Sequence, residues 1–266
     1  MRPVRTSLSA DPVERTPVRL AELASVGPFF ALRTDDKPDD EPDDTLDDEP
    51  DGGAWLPFAS PEQAEAAVRA RVEVVARRLG TADRRVAASV AFQGIAGRLL
   101  SVALGSAVLT GRLPDLGDAR LRWYPGRTAP EDLWLPAPRA LPAEADPAGR
   151  LRERVLGGPV AALHRAVAAS VPVSRRLLWG NASSALAGSL RVLDTWCREH
   201  GRPEDAGRAR ALAREVLDDP VLRGTGTLTC GGAGVSFVRD TCCLYYRAVP
   251  GGMCGDCVLR HPPRAR

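Results

Sequence analysis

Apolar residues recur at helical spacing along most of the chain. Ala64, Val68, Val72, Val75 and Leu79 fall three to four residues apart and predict one buried helical face. Ser60 suits the N-cap, Pro61 the first helical position and Gln63 the third position of a capping box, while Gly80 supplies the stop. A second helix is expected from Thr81 to near Gly111. Its stretch VAASVAFQGIAGRLLSVALGSAVL (86–109) is apolar on every side, the pattern of a helix at the centre of a core. Further helices are predicted over 149–156, 159–170, 174–199 and from Pro203 to the Asp218–Asp219–Pro220 break. The third of these carries Leu177, Leu178, Ala182, Leu186, Leu190, Leu193 and Trp196 on a broad face. Near the start, VRLAELASVGPFFAL (18–32) fits a short helix and a turn.

Strand patterns are fewer. DARLRWYPG (118–126) and EDLWLPAP (131–138) alternate, hold aromatics and are bounded by Pro and Gly, predicting two short strands. GTLTC (226–230) and GVSFVRDTCCLYYR (234–247) read as further short β runs. No βαβ alternation, internal repeat or G-x-G-x-x-G element interrupts this picture. The fold expected is helix-dominated α+β: a helical core with a few short strands and a small C-terminal subdomain.

Charge changes the picture in one place. Residues 35–51, DDKPDDEPDDTLDDEPD, hold eleven acids and one lysine, so a net charge of +2 for the 266 residues conceals a body of +12. Three prolines and almost nothing to bury predict a disordered insertion over 35–54. The boundaries expected are an N-terminal segment 1–34, this insertion, a mainly helical body 55–225 with short central strands, and a cysteine-bearing segment 226–266. A positive body attracts anions or an acidic protein, but no nucleic-acid module is recognisable. Apart from Lys37 every cation among the lysines and arginines is Arg, so the abundance of arginine reflects composition before it reflects any site. The first thirty residues hold no continuous apolar run of the kind an export signal needs. Arg98 sits in the middle of the 86–109 stretch, where a bilayer centre would charge at least roughly 2.5 kcal/mol for it. No membrane span and a cytoplasmic location are therefore expected.

The chemistry concentrates near the end. Four of six cysteines, Cys242, Cys243, Cys254 and Cys257, fall within TCCLYYRAVPGGMCGDCV. The cysteine density is far below that of a disulfide scaffold. Cys254-Gly-Asp-Cys257 would make a zinc knuckle, but Cys242–Cys243 leaves no residues to wrap around an ion. Neighbouring side chains on a strand point to opposite faces, so the backbone must bend there if both are to reach one centre. An iron–sulfur cluster also takes four thiolates, yet neither common ferredoxin spacing is present. Spacing alone thus supports a metal site of unusual ligand geometry. His164, His200 and His261 are scattered and form no triad. Cys197 and Cys230 have no partner pattern.

The arrangement C-C-x10-C-x2-C, with the flanking VRDTCCLYYR and CGDC and the helical LLWGNASSAL (177–186), resembles the FhuF-type ferric-siderophore reductases. The resemblance implies that Cys242, Cys243, Cys254 and Cys257 bind a [2Fe–2S] cluster, making 226–266 a cluster-binding segment. It further implies transfer of one electron to siderophore-bound iron(III), release of iron(II), and electrons supplied by a ferredoxin or flavoprotein. Iron(II) is softer than iron(III) and is held far more weakly by the hard oxygen ligands of a siderophore. Arg239 and Arg247 flank the first cysteine pair and are candidates for contact with an anionic substrate or an acidic donor. Tyr245 and Tyr246 would divide between packing and shielding the cluster, and Trp179 and Asn181 would pack the long helix against it. The competing readings are a zinc-stabilised binding or regulatory protein and an iron–sulfur electron-transfer or sensor protein that does not act on siderophores.

Overall fold

The computed structural model describes residues 20–34, 55–57, 61–117, 119–142, 145–232, 234–248 and 252–259. The acidic insertion, Ser60, His261 and residues 1–19 lie outside the described residues. Helices dominate: α1 (Leu20–Val26), α2 (Pro61–Arg78), α3 (Arg84–Leu109), α4 (Pro147–Leu151), α5 (Ala161–Ser170), α6 (Arg175–Glu199) and α7 (Pro203–Leu217). The strands are β1 (Leu56–Pro57), β2 (Arg122–Trp123) and β3 (Leu133–Trp134), followed by the hairpin β4 (Gly226–Gly231) and β5 (Gly234–Arg239).

Local chemistry sets the helix ends. Helix α3 starts three residues later than expected because Asp83 takes the N-cap position and its carboxylate accepts the Arg85 N–H at 3.0 Å. Ser174 caps α6 by accepting from Leu177 N–H, and Pro203 opens α7 with Glu204 and Asp205 in the first turn, where the helix dipole favours them. The two helices predicted over 149–156 and 159–170 form and meet at a kink. Wider, π-type hydrogen bonding continues α4 over Arg152–Val160, but Gly158 takes a non-helical ψ of −110° and Pro159 has no N–H to donate, so the run breaks at Gly158–Pro159 before α5.

Helix α3 runs through the middle, packed by α6 on one side and α2 on another, with α1 and α7 also against it. An Ala, Gly and Ser-rich sequence lets neighbours approach closely. At Gly105 a β-carbon would press on Phe30 Cδ1 at 2.7 Å and Leu23 Cδ2 at 2.8 Å, so α1 and the loop after it can settle directly on the α3 backbone. Among the described residues α3 alone is long and apolar enough to cross a membrane, and 83 % of its most apolar window is buried inside the molecule. Arg98, 2 % exposed, pairs with Asp132 at 2.7 Å and donates to the carbonyls of Pro28, Phe29, Ala31 and Pro130. Such a charge is tolerable inside because every donor direction has an acceptor.

The two central strands form as predicted but are two residues each; β2 pairs antiparallel with β3 on one side and with β1 on the other, which periodicity over so few residues could not reveal. At the other end, β4 and β5 pair antiparallel from Gly226↔Arg239 to Gly231↔Gly234 and lie against α6. This hairpin delivers the chain to the cysteines.

Candidate metal centre

Strand β5 stops at Arg239, before the cysteine pair, and the backbone leaves the extended form as the adjacent cysteines require. Leu244, immediately after them, has φ +67°, a left-handed conformation that costs a non-glycine residue about 1–3 kcal/mol. The turn brings the Leu244 N–H to the Cys242 sulfur at 3.4 Å. The pattern repeats at all four positions. Tyr245 N–H donates to Cys243, Asp256 N–H to Cys254, and Leu259 N–H to Cys257 at 3.4 Å. Each sulfur thus accepts an amide from two residues further on, and at Cys243 and Cys254 that amide favours the thiolate.

Cys243 is buried, and Cys242, Cys254 and Cys257 are half-buried. The two halves of the motif meet where Cys243 and Cys254 share a hydrogen bond. Donation from Cys254, the Tyr245 amide and the Arg239 charge push the Cys243 thiol down to about 6 against the opposing effect of burial. The same shared proton, together with burial, pushes the Cys254 thiol up. All six cysteines are free thiols, so no disulfide joins them. Among the described residues no three His, Cys, Asp or Glu side chains gather as a single metal ion would require. The sulfurs are instead arranged as two short loops that touch through one member of each.

A polar network inside the apolar body holds both loops. Ser89 Oγ, on α3, donates to the Cys243 carbonyl at 2.7 Å and accepts from Asn181 Nδ2 at 2.9 Å. Asn181 Oδ1 accepts from Arg239, which also donates to Gln93 Oε1 at 3.3 Å and to the Thr241 carbonyl at 3.1 Å. Gln93 donates to Ser184 Oγ at 3.4 Å, and Ser184 donates to Asp256 Oδ2 at 2.6 Å. Arg191 Nη2 closes the series on Asp256 Oδ1 at 2.7 Å. Gly180 makes the approach of this segment to α6 possible, because a β-carbon there would overlap Thr241 Oγ1.

Several expectations change against this geometry. Arg239 is 1 % exposed and its guanidinium is committed to Asn181, Gln93 and Thr241, so it cannot meet a substrate or donor at the surface; its effect on the thiols is electrostatic. Arg247 is exposed, with contacts to Tyr246 OH at 3.2 Å and Asp83 at 3.4 Å. Asn181 packs α6 against the cysteine segment as expected. Trp179, two residues earlier and on another face, stacks on His164 of α5 with centroids 4.3 Å apart. His164 Nε2 is bonded to the Arg175 carbonyl and His200 Nδ1 to that of Trp196, both structural positions. Cys197 is buried in α6, where burial pushes its thiol up to about 11. Ser89, Gln93, Ser184, Arg191 and Asp256 were not singled out in the sequence. For Ser89, Gln93, Ser184 and Arg191 the signal was present as polar residues at helical spacing on faces otherwise built for packing; Asp256 sits in the C-x-x-C loop, where no periodicity marks it.

A cavity of about 630 Å³ opens between α3 and α6, with the loop after α1 on its rim. Cys243, Cys254 and Tyr245 form part of its wall, and Phe29, Gly97 and Val192 are among its apolar lining.

Residues 239–259 match the FhuF 2Fe-2S C-terminal domain. The matched stretch runs from the buried arginine to the last amide–sulfur bond and contains all four clustered cysteines. No curated protein matches the chain. The FhuF 2Fe-2S C-terminal domain is an iron–sulfur domain, so the cofactor of this segment is a [2Fe–2S] cluster, and the zinc reading of the C-x-x-C pair gives way to it. The residues present suit that cofactor. Four thiols, each supported by an amide and two of them, Cys243 and Cys254, under the charge of the buried Arg239, offer the donor set and hydrogen bonds by which proteins hold such clusters and tune their potentials.

Proposed function

We propose that Cys242, Cys243, Cys254 and Cys257 hold the [2Fe–2S] cluster and that the protein is a reductase of siderophore-bound iron(III). When bound, the cluster supplies a one-electron carrier between an external donor and the ferric chelate. The cavity carries this reading. Two of the four cysteines line a space of about 630 Å³, so a chelate seated between α3 and α6 lies beside the redox centre. The chain's residues position the centre: Ser89 and Asn181 fix one cysteine loop, Ser184 and Arg191 the other, and Tyr245 and Phe29 line the approach. No acid or base is needed, because one electron enters from a ferredoxin or flavoprotein and one leaves to iron(III), whose product iron(II) is weakly held by hard oxygen donors. Such thiols suit a reducing compartment such as the cytoplasm.

The test is to purify the protein without oxygen, record its visible spectrum and metal content, reduce it, and mix it with a panel of ferric siderophores in the presence of an iron(II) trap. Reoxidation of the protein matched by one trapped iron(II) per electron is expected. A colourless protein holding zinc overturns the reading. A brown protein that no siderophore reoxidises would leave plain electron transfer or sensing.

A further inference from the structure

Asp256 lies between Cys254 and Cys257 and is 7 % exposed. Transfer of an electron requires no carboxylate there, and a negative charge beside four thiolates opposes the arrival of another electron. It is nevertheless the most heavily bonded residue of the C-x-x-C loop. Its carboxylate takes the Ser184 hydroxyl at 2.6 Å and the Arg191 guanidinium at 2.7 Å, and its carbonyl accepts the Arg239 N–H at 3.0 Å. Arg191 also donates through Nε to the Val235 carbonyl at 3.2 Å, so its position is fixed from β5 as well. A buried carboxylate persists only when paired.

We propose that Asp256 and Arg191 are positioning residues that set the reduction potential of the cluster, acting as an opposed charge pair fixed beside it. The inference rests on the reading that the cluster is held by the four cysteines. Asp256 lowers the potential, Arg191 offsets it, and the pair as built leaves little net charge. Removing either member exposes the other to the cluster. Charge is felt strongly at such a half-buried site because the effective dielectric is far below that of water.

The experiment is redox titration of the anaerobically purified full chain and its variants, followed by the visible and paramagnetic resonance spectra. Asp256→Asn is expected to raise the potential, Arg191→Gln to lower it, and the double variant to return near the starting value. Ser184→Ala keeps both charges and removes one donor to Asp256, so a smaller downward shift is expected; if the charge variants do not fold, its sign decides. A second readout needs no cluster. In the apo protein both single variants should speed alkylation of Cys254 and Cys257, with Cys197 unchanged. Shifts of the same sign in the two single variants overturn the proposal, as does an unchanged potential in variants that retain the cluster. Folded single and double variants that all lose the cluster also overturn it, since the pair would then serve assembly. Starting protein without iron would mean that the underlying reading fails, a result distinct from any of these.

Discussion

Gly180 illustrates how single positions govern the centre. Replacing it with Ala forces a β-carbon onto Thr241 Oγ1, one residue before the cysteine pair. We expect Gly180→Ala to cost about 1–3 kcal/mol, read from denaturant unfolding, as overpacking generally does. Thr241 Oγ1 is buried without a hydrogen-bond partner among the described residues. Thr241→Ala alone should therefore be nearly neutral, and in the Gly180→Ala background it should restore much of the loss. The cysteines divide just as sharply. Cys243→Ser should abolish the visible absorption and iron content of the protein, whereas Cys197→Ser, buried in α6 away from the network, should keep both. The cysteine grouping was legible in the sequence because its spacing is explicit. The supporting residues were not, because Ser89, Ser184 and Arg191 acquire their roles only when α3 and α6 lie side by side.

Elements tell a similar story. Helices α2, α3, α6 and α7 were legible from long periodic patterns and from capping residues whose chemistry is local. The break at Gly158–Pro159 was legible too, and the backbone kinks there; the widened, π-type turns leading up to it were not, because no residue pattern marks them. Strand β1 is two residues beside the acidic tract, too short for any period to register. Arg98 argued against a membrane span and turns out to anchor the 28–31 loop to the central helix. Arg98→Met strands a buried Asp132, for which the expected loss is about 3–5 kcal/mol, measured by equilibrium unfolding. Replacing both, as Arg98→Met with Asp132→Leu, should cost less than the single change. The loop carries Phe29 to the rim of the cavity, so the single variant should also loosen any ligand bound there.

At the scale of the whole molecule, charge and connectivity matter more than any one contact. A body of +12 outside the 35–51 tract favours encounter with acidic donors, and exposed Arg247 sits on the segment that carries the cysteines. Arg247→Glu should slow reduction by an acidic donor protein roughly tenfold at low salt, with the difference shrinking as salt rises and the cluster potential little changed; stopped-flow mixing across ionic strength checks this. The sequence boundary at residue 226 suggests a separable C-terminal unit, but both cysteine loops are fastened to side chains of the helical body. A peptide of residues 226–266 alone should therefore fail to retain iron under conditions in which the full chain does, as measured by iron content after gel filtration. One loop is tied through Ser89 to α3 and the other through Ser184 and Arg191 to α6. Four bonds from sulfur to one rigid inorganic core would then cross-link the two longest helices at the mouth of the cavity between them. Loading should slow amide hydrogen exchange along the facing turns of both helices, and losing the cluster should let them breathe apart.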